Sequence, residues 1–213
     1  MPTTTTQRRT MHCSDITVVD AGELTTRKAF GLLKAAVVPR PVAWTSTVSP
    51  DGIPNLAPFS FFTVVSSQPP MVLLSVEYQP DGRLKDSAAN IAATGEFVVN
   101  IAPAAMAPAV DLTSAQVDPA VDEFALAGLT PAPCRHVRPP RIAETPISLE
   151  CRLHTTVQPG SDRLIIGEVV AFHLDSSVLD PAGRVNTALL DPVARTAADF
   201  ARLQPLTTHQ QEM

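Results

Sequence analysis

Cysteine is scarce in this chain, and the three present, Cys13, Cys134 and Cys151, lie far apart. No CxxC pair occurs, and an odd number closes no complete disulfide set. The pattern predicts neither a bridged secreted scaffold nor a zinc ribbon, and points to a reducing, cytoplasmic setting. Several motifs are missing as well. There is no GxGxxG, no GxxxxGKS or GxxxxGKT, no HExxH and no GxSxG. A Rossmann dinucleotide fold, a P-loop enzyme, a zinc hydrolase of that type and an α/β-hydrolase are therefore disfavoured. The five histidines fall at no metal-ligand spacing, so no metal is expected. No apolar run approaches the roughly 20 residues that span a bilayer. The opening MPTTTTQRRTMHCSD has no apolar stretch of the kind a secretory signal needs. Cations are outnumbered, and a net charge of −5 leaves no general surface for nucleic acid or an anionic membrane. Any anionic ligand must meet a local cluster of Arg or Lys. Glycine is sparse too, nine against 21 prolines. Proline interrupts helices and inner strands, so short strands, many turns and few long helices are expected.

What is present reads as one domain. A length of 213 residues with 45% apolar content can bury a sizeable core. Residues 1–20, Thr-rich and then mixed, read as a flexible arm; residues 21–200 read as the domain, and 201–213 as a tail. Helical spacing over 24–36 is closed by Pro39 and Pro41. Residues 42–48 alternate like a strand, and Ser49-Pro50-Asp51-Gly52 is a type I turn signal. A second strand is expected over 53–65, interrupted at Pro54 and Pro58, where backbone groups are left to face a ligand. After a loop at 66–70, residues 71–76 and 97–101 read as buried strands. Between them Asp86 is a suitable N-cap for a helix through Thr94, with Gly95 just past its end. Residues 102–146, rich in Pro and Ala, read as an insertion over the barrel with short helical pieces such as 121–127. Residues 147–156 and 164–175 form a hairpin through Gln158-Pro159-Gly160-Ser161. The expected fold is mainly β, a closed or split β-barrel with short helices.

The stretch RPVAWTSTVSPDGIPNLAPFS, residues 40–60, concentrates polar side chains in an otherwise apolar chain. Thr45, Ser46, Thr47, Asn55 and Ser60 carry hydroxyl and amide groups that suit the polar edge of a flat ring such as a flavin. Strand threonines with a turn asparagine also occur without any ligand, and the residues alone leave that open. Lys85-Asp86-Ser87 opens a helix, and the free N–H groups of a first turn beside a Lys and a hydroxyl make an anion site, with Arg83 and Arg40 available to add charge. A solvated Lys before an ordinary helix start is the competing reading. Trp44, alternating with Val42, reads as packing. Cys151 reads as a buried strand thiol, and Cys134 lies beside Arg135 in a Pro-rich loop.

These runs, followed by LKDSAANI, GEFVVNI, VDEFALAGLTP, PPRIAETPISLECRL and LIIGEVVAFHLD, resemble the flavin reductase-like, FMN-binding split-barrel family over about residues 30–190. The resemblance implies a homodimer with one FMN per subunit near the dimer interface. It implies that Thr45, Ser46, Thr47, Asn55, Leu56, Ala57 and Pro58 line the flavin with Ser60 nearby, and that Lys85-Asp86-Ser87 matches the family's Lys-Asp-Thr phosphate run. The family's closing Arg-Leu-Gly-Gly and an aromatic near the cofactor correspond to Arg195, Ala197, Ala198 and Phe200, with both glycines replaced, and the resemblance counts Arg195 among the cofactor-binding residues. The function implied is an NAD(P)H-dependent flavin reductase, with NADH or NADPH as co-substrate and a monooxygenase as a partner for the reduced flavin. Two other readings stay open. One is an FMN enzyme that uses no nicotinamide, with His136, His154 or His173 as base; the other is a flavin-binding electron-transfer module without turnover.

Overall fold

The computed structural model describes residues 16–204. In chain order the elements are α1 (Thr26–Ala36), β1 (Arg40–Pro41), β2 (Ala43–Val48), β3 (Pro54–Phe59), β4 (Phe62–Ser67), β5 (Pro70–Glu77), α2 (Asp86–Thr94), β6 (Glu96–Ile101), α3 (Ala107–Leu112) and α4 (Glu123–Leu126). They continue with β7 (Pro131–Ala132), β8 (Arg141–Ile142), β9 (Ile147–Val157), β10 (Asp162–Leu174), α5 (Thr187–Leu190), β11 (Val193–Arg195) and β12 (Phe200–Arg202). Of the N-terminal arm, residues 1–15 with Cys13 lie outside the described residues, as does 205–213 of the tail.

Seven strands form one antiparallel sheet in the order β3-β2-β6-β9-β10-β5-β4. Its two edges, β3 and β4, are consecutive in the chain, so Ser60 and Phe61 join them covalently. At that corner Ser75 N–H donates to the Phe61 carbonyl at 2.8 Å, but no ladder joins β3 to β5. The sheet therefore curls into a split barrel, mainly β with short helices, as the sequence predicts. The expected single strand over 53–65 is two strands, because the chain turns from one edge of the barrel to the other at residues 60–61. The loop expected at 66–70 is a tight reversal, with β4 reaching Ser67 and β5 starting at Pro70. The long hairpin is β9–β10.

Period-two alternation places Ala43, Phe59, Val72, Leu74, Val76, Phe97, Val99, Cys151, Ile165 and Val169 inside the barrel. Helix α2 adds Ala88 and Ile91 to this core. The opposite face of β2 and β3 carries Val42, Trp44 and Leu56, which need their own cover. Residues 102–146 supply it through Val110, Phe124 and Ile142, making a second core. This segment is thus a packed layer on the barrel wall. Trp44 is fully buried there, and its indole N–H donates to Thr113 Oγ1 at 2.8 Å.

The prolines of β3 follow from its place at the open seam. Leu56 N–H turns away from β2 to a side-chain carboxylate, so Pro54, Leu56 and Pro58 face outward while residues 55, 57 and 59 face the ladder. Neither proline removes a ladder donor there. Gly167 in β10 has a steric reason instead. A Cβ at this position would come within 2.3 Å of the ring of the fully buried Phe97. Gly167→Ala is expected to cost about 1–3 kcal/mol through overpacking. Urea titration should show this as a lower midpoint with unchanged slope, and an unshifted midpoint would show that Phe97 yields.

Candidate functional site

A cavity of ≈ 320 Å³ opens between β3, the end of β5, the start of α2 and the 113–117 loop of the covering layer. A smaller one of ≈ 140 Å³ lies beside it and shares Pro58 and Ser114 as walls. The two form one groove along the outward edge of β3.

Of the residues singled out in the sequence, Asn55, Ala57, Pro58, Lys85, Asp86 and Ser87 line the larger cavity. Pro58, Ser60 and Arg195 line the smaller one. Thr45, Ser46 and Thr47 are fully buried and bonded within the chain. Thr45 Oγ1 donates to the Ala43 carbonyl, Ser46 Oγ to the Pro140 carbonyl, and Thr47 Oγ1 to Asn55 Oδ1. Leu56 has its side chain in the second core. Arg40 is a staple: its guanidinium donates to the carbonyls of Lys34, Val37 and Thr196 and to Ser60 Oγ. Arg83 is exposed and paired with Asp81, and lines neither cavity. None of His136, His154 and His173 lines either cavity. His173 Nε2 instead meets Glu150 Oε1 at 2.6 Å. Burial pushes the Cys134 thiol up to about 11, with the Glu150 charge adding to it, and burial likewise raises Cys151, so neither thiol is activated.

The start of α2 differs in one respect from the expectation. Lys85 is the N-cap, and Asp86 is the first helical residue. Among the described residues no side chain caps this end, nor the start of the six-residue α3, whereas α1, α4 and α5 are capped by Thr25, Asp122 and Asn186. The first-turn N–H groups of a nine-residue helix thus lie at a cavity wall beside Lys85. Ser87 Oγ donates to Asn55 Oδ1 at 2.7 Å, locking the helix start to β3.

Glu123 is the residue that sequence reasoning missed. It follows the capping Asp122 on α4, is only 5% exposed, and lines the larger cavity. Its carboxylate accepts Asn55 Nδ2 at 2.7 Å and Leu56 N–H at 3.1 Å. Asn55 Oδ1 therefore faces Ser87 and Thr47, and Thr47 Oγ1 accepts Asn90 Nδ2 at 3.1 Å. Burial pushes the Glu123 carboxyl up; its hydrogen bonds oppose this, and the Asp86 charge adds to it. The motif VDEF signalled a helix start but held no sign that its second acid would reach across to β3. The larger cavity carries three acids, Glu77, Asp86 and Glu123, against Lys85. The smaller has Arg195 and, among the described residues, no carboxylate. Ala197 and Ala198, in the glycine positions of the resemblance, lie exposed in the β11–β12 turn and line neither cavity.

Residues 35–192 match the model of the family described as flavin reductase like domain. A protein of Aquifex aeolicus is 39% identical over 171 residues, covering 80% of this chain and 87% of its own. Among solved structures, nitrilotriacetate monooxygenase component B from Bacillus cereus is similar with a TM-score of 0.87 and 32% identity, covering 91% of this chain and 98% of its own. The 2-nitrobenzoate 2-nitroreductase of Pseudomonas fluorescens has a TM-score of 0.81 at 26% identity, covering 92% and 98%.

Glu123→Ala strands the Asn55 amide and the Leu56 N–H, and is expected to cost about 1–3 kcal/mol in urea unfolding. The pH dependence has a definite sign. A carboxyl raised in the folded chain keeps its proton longer than in the unfolded chain. Its contribution is complete below the ordinary value of 4.5 and is lost as pH rises through the raised one. The stability of wild type relative to Glu123→Gln should therefore fall as pH climbs above 4.5. A difference that is flat or grows with pH would contradict this.

Proposed function

The chain belongs to the flavin reductase-like family, and on that premise we propose that it binds FMN in the groove along β3 and reduces it with NADH or NADPH. Flavin reductase-type oxidoreduction is what the family and its neighbours support. The observation that carries it is the uncapped start of α2 facing a cavity beside Lys85 and Ser87. First-turn N–H groups at a cavity wall are free to donate to an anion, and a terminal phosphate can accept from them. The lining suits the rest of the molecule, because β3 presents outward carbonyls together with the Ala57 and Pro58 side chains.

Bound flavin supplies the hydride acceptor. The chain holds and orients it: Lys85 and the α2 N-terminus grip the phosphate, Asn55 is fixed by Glu123, and the covering layer limits water. Resident acid–base chemistry is not required of the protein, and among the described residues no histidine lines the groove. A monooxygenase partner or a small reducible acceptor is the outlet for the electrons in this reading, which the similarity to a nitrilotriacetate monooxygenase component and a nitroreductase supports.

A homodimer belongs to the same proposal. Helix α1 buries none of its residues, and Leu32 and Leu33 are 58% and 59% exposed. Val64 on the edge strand β4 is 72% exposed, and α1 reaches this side through the Phe30–Phe61 ring contact at 5.7 Å. An apolar helix face beside an unpaired strand edge is the surface a second copy would cover. A cavity of ≈ 320 Å³ is at the low end for a cofactor site, roughly 300–1,000 Å³, which fits a groove completed by a partner.

Purified protein mixed with FMN should show a bound-flavin spectrum and oxidise NADH or NADPH. A protein that takes up no FMN defeats the reading. Lys85→Ala should weaken FMN by about 1–3 kcal/mol while leaving riboflavin, which has no phosphate, unchanged. Equal losses for the two ligands would place the phosphate elsewhere. Leu33→Asp with Val64→Asp should convert a dimer to a monomer in light scattering, and an unaltered mass would move the interface to another face.

A further inference from the structure

The flavin reading accounts for the α2 end of the groove and leaves the other end without a role. There Val42, Pro58 and Phe200 make apolar walls, Ser60 and Ser114 add hydroxyls, and Arg195 is the sole ionisable lining residue among the described residues. Among the described residues Arg195 has no carboxylate within ion-pair distance, unlike Arg83, Arg138, Arg184 and Arg202. Its guanidinium lies over the Phe200 ring at 4.4 Å from the centroid. The antiparallel pairing of β11 with β12 sets these two residues directly opposite each other. Stacking holds the planar fork in place without using its donors. The guanidinium of Arg40 lies behind, bonded to Ser60 Oγ, and its charge acts on the same space. An arginine that is already oriented, unpaired and at a cavity wall is a site prepared for an anion.

We propose that Arg195 on its Phe200 platform recognises the carboxylate of a small aromatic second substrate, seated against Val42 and Pro58 beside the flavin. The inference rests on the flavin reading and adds the chemical class of the compound that shares the groove with it. Three features select the class. The fork of Arg195 matches a carboxylate in a bidentate manner. Pro58 and Phe200 offer flat apolar contact to a ring. A space of ≈ 140 Å³ admits one small ring and its carboxylate but is tight for a ribosyl pyrophosphate. The wall shared at Pro58 and Ser114 puts this guest next to the larger cavity.

Benzoate serves as the probe, titrated by calorimetry into FMN-loaded and flavin-free protein, with ADP-ribose as the nucleotide control. Benzoate should bind both forms of the wild type. Arg195→Gln should weaken it by about tenfold or more, the scale of a charge-assisted contact. Arg195→Lys, which keeps the charge and loses the fork, should recover part of the loss, and Phe200→Leu should weaken benzoate in the same direction. FMN affinity should stay within about twofold in Arg195→Gln, because Arg195 lines the smaller cavity and not the larger one that takes the phosphate. The proposal falls if wild type binds no benzoate, or if Arg195→Gln leaves benzoate unchanged. It also falls if Arg195→Gln instead weakens ADP-ribose, which would make the anion a nucleotide phosphate, or if it weakens FMN tenfold. A chain that takes up no FMN overturns the flavin reading alone, since benzoate binding to the flavin-free protein still decides this one.

Discussion

The meeting of Asn55 with Glu123 is the constraint on which the groove depends. One amide and one carboxylate bring four elements to a point: Thr47 from β2, Asn55 and Leu56 from β3, Ser87 from α2 and Glu123 from α4. Each polar atom in the set has a partner, so the network fixes a single arrangement. It also fixes the orientation of the Asn55 amide, whose nitrogen is drawn to the carboxylate and whose oxygen is left for two hydroxyls. Without it the cover and the helix start would have no common reference on the open edge of the barrel.

A second carboxylate does a similar task on the other side of the wall. Glu150 on β9 is fully buried and points outward into the covering segment. Burial pushes its carboxyl up, but the N–H groups of Arg135 and His136 together with His173 overcome this and hold it low. The cover thus reaches into the barrel through Glu123, and the barrel reaches into the cover through Glu150. Asn100 adds a neutral clamp, donating to the Trp44 carbonyl and accepting Ile142 N–H. Residues 102–146 are held by directional polar bonds as well as by the second apolar core, which is why a segment rich in proline stays in register with the strands beneath it.

Much of this was legible in the chain, and the exceptions have physical causes. The Pro50-Gly52 turn, the β9–β10 hairpin and the α2 helix rest on local signals, and local signals survive folding. Asn55, Pro58, Ser60, Lys85, Ser87 and Arg195, singled out through the family resemblance, all line the two cavities. The internal partners of Thr45, Ser46 and Thr47 were not legible, because a hydroxyl is satisfied as well by a neighbouring carbonyl or amide oxygen as by a ligand, and β2 is an inner strand. Arg40 offered a charge for an anion but is engaged by carbonyls. Glu123 could not be found, because its partners lie 67 and 68 residues away and nothing in a short motif encodes so distant a meeting.

The outward face of β3 has a bearing on how this molecule behaves in a crowd. An unzipped seam normally advertises alternating donors and acceptors, an adhesive strip for any stray strand. Here Pro54 and Pro58 carry no amide hydrogen, and that of Leu56 is already taken by Glu123. The strip can accept but cannot donate, so a foreign strand would find half its bonds refused. The barrel can stay ajar for a small visitor without inviting cross-β polymerisation.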